Sequence, residues 1–396
     1  MKQLLEKMTT LLLVAIMTIT PLTVLAAEEP PESTEFAMTI NMAMEAIPAA
    51  MDALEISGII IAFVDSQTGF TWTQGFGYAD SITGNRVDEH TLFQVGSTSK
   101  IFTALAVMEL VDRGLVDLDT AFVYYVPEFT MQPGISEANS DDVTIRMLLS
   151  NTSGVHRDFF YAMLSYGKVQ SPRNIDGMLD WLSARDMQFV PGTSFQYANN
   201  NWALLNILVA RVIGADDYFH SFVNFTNDYV FTPLGMNDSS FMFPQDHNNV
   251  AMPYLSASEQ DARYVINIIG PGAMLSSAYE MAIFMHQFFS NDLLAQMIPA
   301  QTTHVLPETS AIQYGLGILH MEAMGFEMVG HGGNMEHFHT EFIMHQETGL
   351  GIFISTNTVT GLEFVHGFAV DMVLLLTCLL LPFMKKQAFF PLIFPS

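Results

Sequence analysis

The chain has 396 residues, half of them hydrophobic, and sets 14 Lys and Arg against 41 Asp and Glu for a formal charge of −27. That length allows one large or two ordinary domains around a sizeable core, and so acidic a surface repels anionic polymers, which excludes a nucleic-acid binder. The single cysteine, Cys378, excludes an intrachain disulfide and a cysteine-based zinc cluster.

The N-terminus carries Lys2 and Lys7, then an apolar run ending in Val24-Leu25-Ala26. This pattern predicts a secretory signal over residues 1–26, cut after Ala26 or Ala27, and hence a secreted or extracytoplasmic body. An uncleaved anchor is the alternative. Residues 28–35 (EEPPESTE) read as a flexible lead-in. Residues 56–79 predict a hairpin: an apolar strand (GIIIAFVD), a turn at 66–69 and a return strand.

Residues 93–114 organise the rest. A short apolar strand end (Leu92, Phe93, Val95) meets a turn at Gly96, and a helix comes next. The helix is apolar on most faces (Ile101, Phe102, Leu105, Val107, Met108, Leu110, Val111) and should be buried. Gly114 after Arg113 suits its C-cap. At its start stands Ser97-Thr98-Ser99-Lys100. Residues three apart share a helix face, so the Ser97 hydroxyl and the Lys100 amine can meet. A lysine of lowered pKa can take the proton of a serine nucleophile. Burial and the positive end of the helix dipole both lower it. The Ser97 backbone N–H at the same helix end is available to a developing oxyanion. The bland reading makes Ser97 a cap and Lys100 a surface charge. Against it, Lys100 and Lys168 are the only lysines between Glu28 and Met384.

Beyond this helix, residues 118–119 and 126–128 read as loop and turn, and residues 144–231 as mainly helical. The expected helices span 144–150, 175–185, 202–213 and 218–230. Before the third lies Tyr197-Ala198-Asn199, in a loop after Pro191-Gly192. A tyrosine next to a lysine can carry protons as tyrosinate, and an asparagine amide can hold a substrate carbonyl. Equally, Tyr197 could pack the helix start and Asn199 cap it. From residue 270 a helix at 277–289 precedes strand-like runs at 314–320, 326–330, 338–345 and 350–357. An apolar helix closes at 364–381.

Strands at both ends and helices between them predict an α+β fold: one antiparallel sheet flanked by helices, with a mainly helical domain inserted. The division is residues 36–96 with 266–381 for the α/β domain, 97–265 for the helical domain, and 382–396 for a tail. Residues 364–384 are long enough to span a bilayer, and Lys385-Lys386 comes next as a stop-transfer flank would. Asp371 inside the run favours a packed core helix over membrane association.

Gly330-His331-Gly332-Gly333-Asn334 falls between two expected strands. Glycines there let a substrate lie against strand backbone, and a histidine can shuttle protons. The alternative is a Gly-rich hairpin with an incidental histidine. His337 and His339 share a face and, with His331, raise the question of a metal. No carboxylate or cysteine spacing completes a known site, so neither metal nor other cofactor is expected.

Together the three motifs resemble the serine β-lactamase and penicillin-binding-protein superfamily, in the branch that holds class C β-lactamases and β-lactamase-like esterases and peptidases. Ser97-Thr98-Ser99-Lys100 matches S-x-x-K, Tyr197-Ala198-Asn199 matches Y-x-N, and His331-Gly332-Gly333 stands in the K-T-G place as H-x-G. Flanking text agrees at residues 148–154, 233–236, 270–277 and 314–317. The likeness runs from about residue 40 to residue 380, and three ordered motifs are far more specific than one. The resemblance implies that Ser97 is acylated while Lys100 and Tyr197 exchange its proton. Asn199 would orient the substrate, and the N–H groups of Ser97 and Asn334 would hold the oxyanion. His331 would take the place of the third-motif lysine, beside Gly332 and Gly333. Water would then release the acyl group, from a site between sheet and helical domain.

Two departures matter. The family's β-lactamases grip a carboxylate with the third-motif lysine and nearby cations, whereas here the residue is His331 and no Lys or Arg occurs between Arg263 and Lys385. That favours a neutral ester, or a peptide or amide with little negative charge, over a β-lactam-like substrate. Asn151 stands where many relatives carry His in L-L-S-H-T-S-G. The leading expectation is a secreted serine hydrolase. A D-amino-acid peptidase or weak β-lactamase comes second, and a silent relative that binds cell-wall peptide is the non-enzyme alternative.

Overall fold

The computed structural model describes residues 34–134, 137–157, 164–166, 175–244, 249–266, 269–304, 312–323 and 325–380. The expected signal (1–26) and tail (382–396) lie outside the described residues. The chain forms two units, residues 1–42 and 43–396. Helix α1 (Thr34–Leu54) starts in the first and ends in the second. The second unit holds every strand and all the other helices described. The Ala- and Met-rich sequence of α1 favours helix strongly enough to carry Pro48 inside it, where the sequence pattern suggests only a lead-in up to residue 35.

Strands β1 (Gly58–Asp65) and β2 (Phe70–Asp80) form the expected hairpin, with β3 (Asn85–Arg86) at its outer edge. From the far end of the chain come β6 (Thr302–His304), β7 (Ile312–Tyr314), β8 (Leu319–Ala323), β9 (Phe326–Gly330), β10 (Gly333–Asn334), β11 (His339–His345) and β12 (Leu350–Thr356). Before them, β4 (Phe93–Gln94) and β5 (Leu275–Ser276) pair apart as a small ladder. The large sheet runs β6-β7-β8-β9-β11-β12-β1-β2-β3, with β10 paired to β11. Every pairing in it is antiparallel, and β1 joins β12 with Ile59 opposite Thr356. The two ends of the chain therefore build one sheet, as their apolar strand patterns predict.

The central strands are buried on both faces. Successive strand residues point to opposite faces. On β11, Phe342 stacks on Phe284 and Phe288, which belong to helix α7 (Ala278–Gln287) and the residue just after it. Its neighbour Glu341 pairs with His366 of helix α8 (Leu362–Leu380). Thus α7 covers one face and α8 the other. Among the described residues no helix is long and apolar enough to cross a membrane.

Between β4 and β5 the chain is mainly helical. Helix α2 (Ser99–Asp112) succeeds a 3-10 turn at Gly96–Thr98, and is buried along nearly its whole length. Further on come α3 (Ile145–Leu149), α4 (Ile175–Ser183), α5 (Asn199–Val212) and α6 (Tyr218–Thr226). Two of their starts are capped by the oxygen of Thr144 or Asp217. α5 begins three residues earlier than the pattern suggests, at Asn199.

One expected strand is broken. Residues 314–320 read as a single run, but β7 ends at Tyr314 and β8 begins at Leu319. Gly317 between them has φ +81°, and a Cβ there would lie 3.0 Å from Ala104 Cβ and 3.0 Å from Trp202 Cη2. The turn lies against α2 and α5, so the chain must leave the strand to pass them.

Candidate active site

Ser97 sits in the 3-10 turn that feeds α2, not in the α-helix itself. Gly96 makes the turn with φ +53°, and a Cβ there would lie 3.0 Å from Asn334 N. The approach is close from the other side too: a Cβ on Gly333 would fall 2.0 Å from Val95 O and 3.1 Å from Ser97 N. Thr98 Oγ1 donates to His331 O at 3.0 Å. These contacts lock the first motif against the third, 233 residues apart for the last pair.

Lys100 is fully buried at the start of α2. Its Nζ lies 2.9 Å from Ser97 Oγ and donates to Pro271 O at 2.6 Å. Among the described residues no carboxylate pairs with it. Burial pushes the amine well below its ordinary range. The segment after Ile269 runs along the polar positions of α2: Thr103 Oγ1 donates to Gly270 O at 2.7 Å, and Met274 N donates to Ser99 Oγ at 3.1 Å. That is why residues 270–277 accompany the first motif.

Tyr197 faces the same amine, with Lys100 Nζ 4.8 Å from its ring centroid. Its phenol hydrogen-bonds Ser97. Desolvation raises the phenol above its ordinary range, more than the Ser97 contact lowers it. Both shifts favour the neutral amine and the neutral phenol over ammonium and tyrosinate. Asn199 is the first residue of α5, half-buried, two positions past Tyr197, and its backbone N–H donates to Arg157 O at 3.1 Å.

His331 is buried on the opposite side of the pocket, its ring 5.9 Å from that of Tyr197. Its Nδ1–H donates to Gly332 O at 2.6 Å, since a carbonyl can only accept. Nε2 is then the acceptor, and the Tyr314 hydroxyl donates to it at 3.0 Å. Burial first, and the neighbouring Lys100 second, push the imidazole down to about 3. Gly332, Gly333 and Asn334 continue from it, the last two as β10 paired with Thr340 and His339.

The other histidines go elsewhere. His337 lies 2.9 Å from Asp261 at its Nε2, while His339 meets Asn334 Oδ1 at 3.3 Å and is pushed by burial to about 4. Among the described residues no three His, Cys, Asp or Glu side chains gather as metal ligands.

Two residues to which the sequence assigns no role complete the pocket. Tyr314, fully buried, holds His331. Asn151, also fully buried, accepts from the backbone on both sides of Tyr197. Both stand in stretches that carry the family resemblance, which is the only signal for them.

Known proteins resemble this chain in sequence and in fold. The family model described as Beta-lactamase matches residues 45–371. Penicillin-binding protein 4* of Bacillus subtilis is 26% identical over 69% of this chain and 63% of its own length. Protein flp of Staphylococcus aureus is 22% identical over 72% of this chain and 56% of its own length. The chain thus spans less than two thirds of these curated relatives. The octameric penicillin-binding protein homologue from Pyrococcus abyssi superposes with TM-score 0.70 at 24% identity, covering 88% of this chain and 80% of the other.

Proposed function

The chain belongs to the Beta-lactamase family, and from that membership we propose that it is a serine hydrolase acting through an acyl-enzyme at Ser97 on a neutral ester or amide. One observation carries the reading: a fully buried lysine of strongly lowered pKa lies 2.9 Å from a half-exposed serine hydroxyl.

The neutral Lys100 amine takes the Ser97 proton as Oγ attacks the acyl carbon. The carbonyl oxygen becomes an oxyanion, held by the N–H groups of Ser97 and Asn334, which the Gly96–Gly333 approach brings together. When the bond to the leaving group breaks, Tyr197 hands its proton to that group, and Lys100 reprotonates the phenolate. Asn199 at the start of α5 orients the acyl side. Water, deprotonated by the same pair, then attacks the ester of Ser97; the bond from the acyl carbon to Oγ breaks, Oγ takes the proton back from Lys100, and the acid is freed.

The preference for an uncharged substrate rests on charge. His331, held neutral, replaces the family's lysine, Lys100 is pushed toward its neutral form by burial, and residues 264–384 contain no Lys or Arg. A carboxylate bound here meets no fixed cation from this stretch, and the net charge of −27 opposes it further. Export through the N-terminal apolar run belongs to the same proposal, and fractionation of expressing cells tests it.

The deciding measurement compares turnover of p-nitrophenyl acyl esters with that of nitrocefin, each repeated with Ser97→Ala. Ester turnover that vanishes in the variant is the expected result. Efficient nitrocefin hydrolysis without esterase activity would refute the neutral-substrate reading. Activity that survives Ser97→Ala would refute the acyl-enzyme.

A further inference from the structure

We propose that Asn151 is the positioning residue that sets Tyr197 over the Ser97–Lys100 pair and joins it to the third-motif loop. The inference rests on the acyl-enzyme reading above and extends it to a residue that touches no substrate.

Tyr197 lies in a loop, and a loop does not by itself aim a phenol to within a few tenths of an ångström. Both its chain neighbours are held by one residue. Gln196 N–H donates to the Asn151 carbonyl at 2.8 Å, and Ala198 N–H donates to Asn151 Oδ1 at 3.2 Å. The same Oδ1 accepts from Asn201 Nδ2 at 3.2 Å, on the first turn of α5. Asn201 is itself fixed, its Oδ1 accepting from Ser153 Oγ at 2.7 Å. So the loop and the helix after it are registered on Asn151 from three sides.

This double grip needs an unusual backbone. Asn151 has φ +59°, which turns its side chain and its carbonyl toward the same loop. Asparagine tolerates that region better than other non-glycine residues. The residue is fully buried, so every contact is made without competing water.

The other end of the side chain points toward the third motif. The Asn151 amide lies within reach of the Tyr314 hydroxyl without a regular hydrogen bond to it. Tyr314 in turn donates to His331, and His331 donates to Gly332 O. One run of polar contacts thus connects the phenol's loop to the strand that supplies the Asn334 N–H. A shift at either end alters the spacing between proton donor and oxyanion site.

Asn151→Gly and Asn151→Asp separate side chain from backbone. Glycine adopts the positive φ freely and deletes the Oδ1 acceptor, while aspartate keeps an acceptor in its place. The readouts are amide hydrogen exchange of the peptide covering residues 195–199, followed by mass spectrometry, and the rate of Ser97 labelling by a fluorophosphonate probe. In Asn151→Gly the Ala198 amide should exchange about tenfold faster, and labelling should slow by about ten- to a hundredfold. For the esters that the wild type turns over, kcat should fall with KM unchanged. Asn151→Asp should restore both the protection and most of the rate. A glycine variant that labels at the wild-type rate overturns the inference alone, as does an aspartate variant that regains protection without regaining rate. A wild-type chain that does not label at Ser97 overturns the hydrolase reading and this inference with it.

Discussion

The two walls of the pocket use different chemistry. The helical wall presents side chains: Lys100 is fully buried and Tyr197 half-buried, no carboxylate pairs with Lys100 among the described residues, and desolvation shifts the two in opposite directions, each toward its neutral form. The sheet wall presents backbone. Its Gly333 approaches the Ser97 turn more closely than any Cβ allows, and its histidine, His331, is neutral and engaged at both ring nitrogens. Side-chain substitutions on the helical wall should therefore cost rate, while on the sheet wall the glycines should matter more than the histidine.

The largest effect expected is at Lys100. Replacement by Met should slow acylation of Ser97 by at least about a hundredfold, the scale of a lost general base. The same change should leave the protein more stable. The folded amine is held well below its ordinary value, so the unfolded chain binds the proton more readily. Its contribution is fully present only above the unfolded value of about 10.4, and declines as pH falls below that. At neutral pH the buried lysine is therefore a burden, and Lys100→Met should raise Tm. Calorimetry beside probe labelling checks both halves. A variant that is slower and also less stable would mean that the amine rests charged and well solvated.

Next comes Gly333→Ala. The added methyl would fall 2.0 Å from Val95 O, so β10 must move away from the turn. The expected costs are about 1–3 kcal/mol of stability, the usual range for overpacking, and a loss of ester turnover larger than that of any His331 variant. Urea denaturation and kcat/KM measure the two. Wild-type turnover in Gly333→Ala would show that the sheet wall does not depend on this approach.

The walls also differ in how much of them is legible in the sequence. Ser97 and Lys100 are legible because three residues of spacing is a local matter, settled by helix geometry. That both termini contribute to one sheet is legible from the apolar runs at 58–65 and 350–356. Tyr197, Asn199 and His331 are legible as candidates by residue type, but their meeting with Ser97 comes only with the family resemblance, because nothing local relates them to residue 97. Tyr314 and Asn151 stand in stretches that carry the resemblance, but their roles escape. Their roles exist only once β7, α3 and the start of α5 meet, and a buried tyrosine or asparagine looks in sequence like any other. Helix α1 is hidden for an opposite reason: Pro48 is a strong local signal against helix, and the helix propensity of the Ala- and Met-rich residues around it outvotes it.

A smaller effect is expected from His331→Lys. The change places a cation where the neutral imidazole stands, and should shift preference from p-nitrophenyl ester toward nitrocefin by about tenfold, equal to about 1.4 kcal/mol. An unchanged ratio would mean that something other than charge at this position sets the choice of substrate.

The smallest effect concerns stability alone. His331 is pushed down to about 3 in the folded chain, whereas an unconstrained imidazole titrates near about 6.5. Below that value the unfolded chain takes up a proton that the folded one refuses. The stabilising contribution is thus complete above about pH 6.5 and drains away as pH falls toward about 3, at no more than about 1.4 kcal/mol per pH unit. Other buried groups act in the same range, and Glu280, raised by burial, acts with the opposite sign. The comparison must therefore be between wild type and His331→Gln, whose amide oxygen can still accept from Tyr314 and which does not titrate. The difference in urea-unfolding free energy between the two should change as pH is lowered from about 7 to about 4.5, with wild type losing more. Parallel curves would mean that the histidine exchanges protons freely in the folded state. The sheet wall would then hold a titrating cation after all, and the case for a neutral substrate would lose its main support.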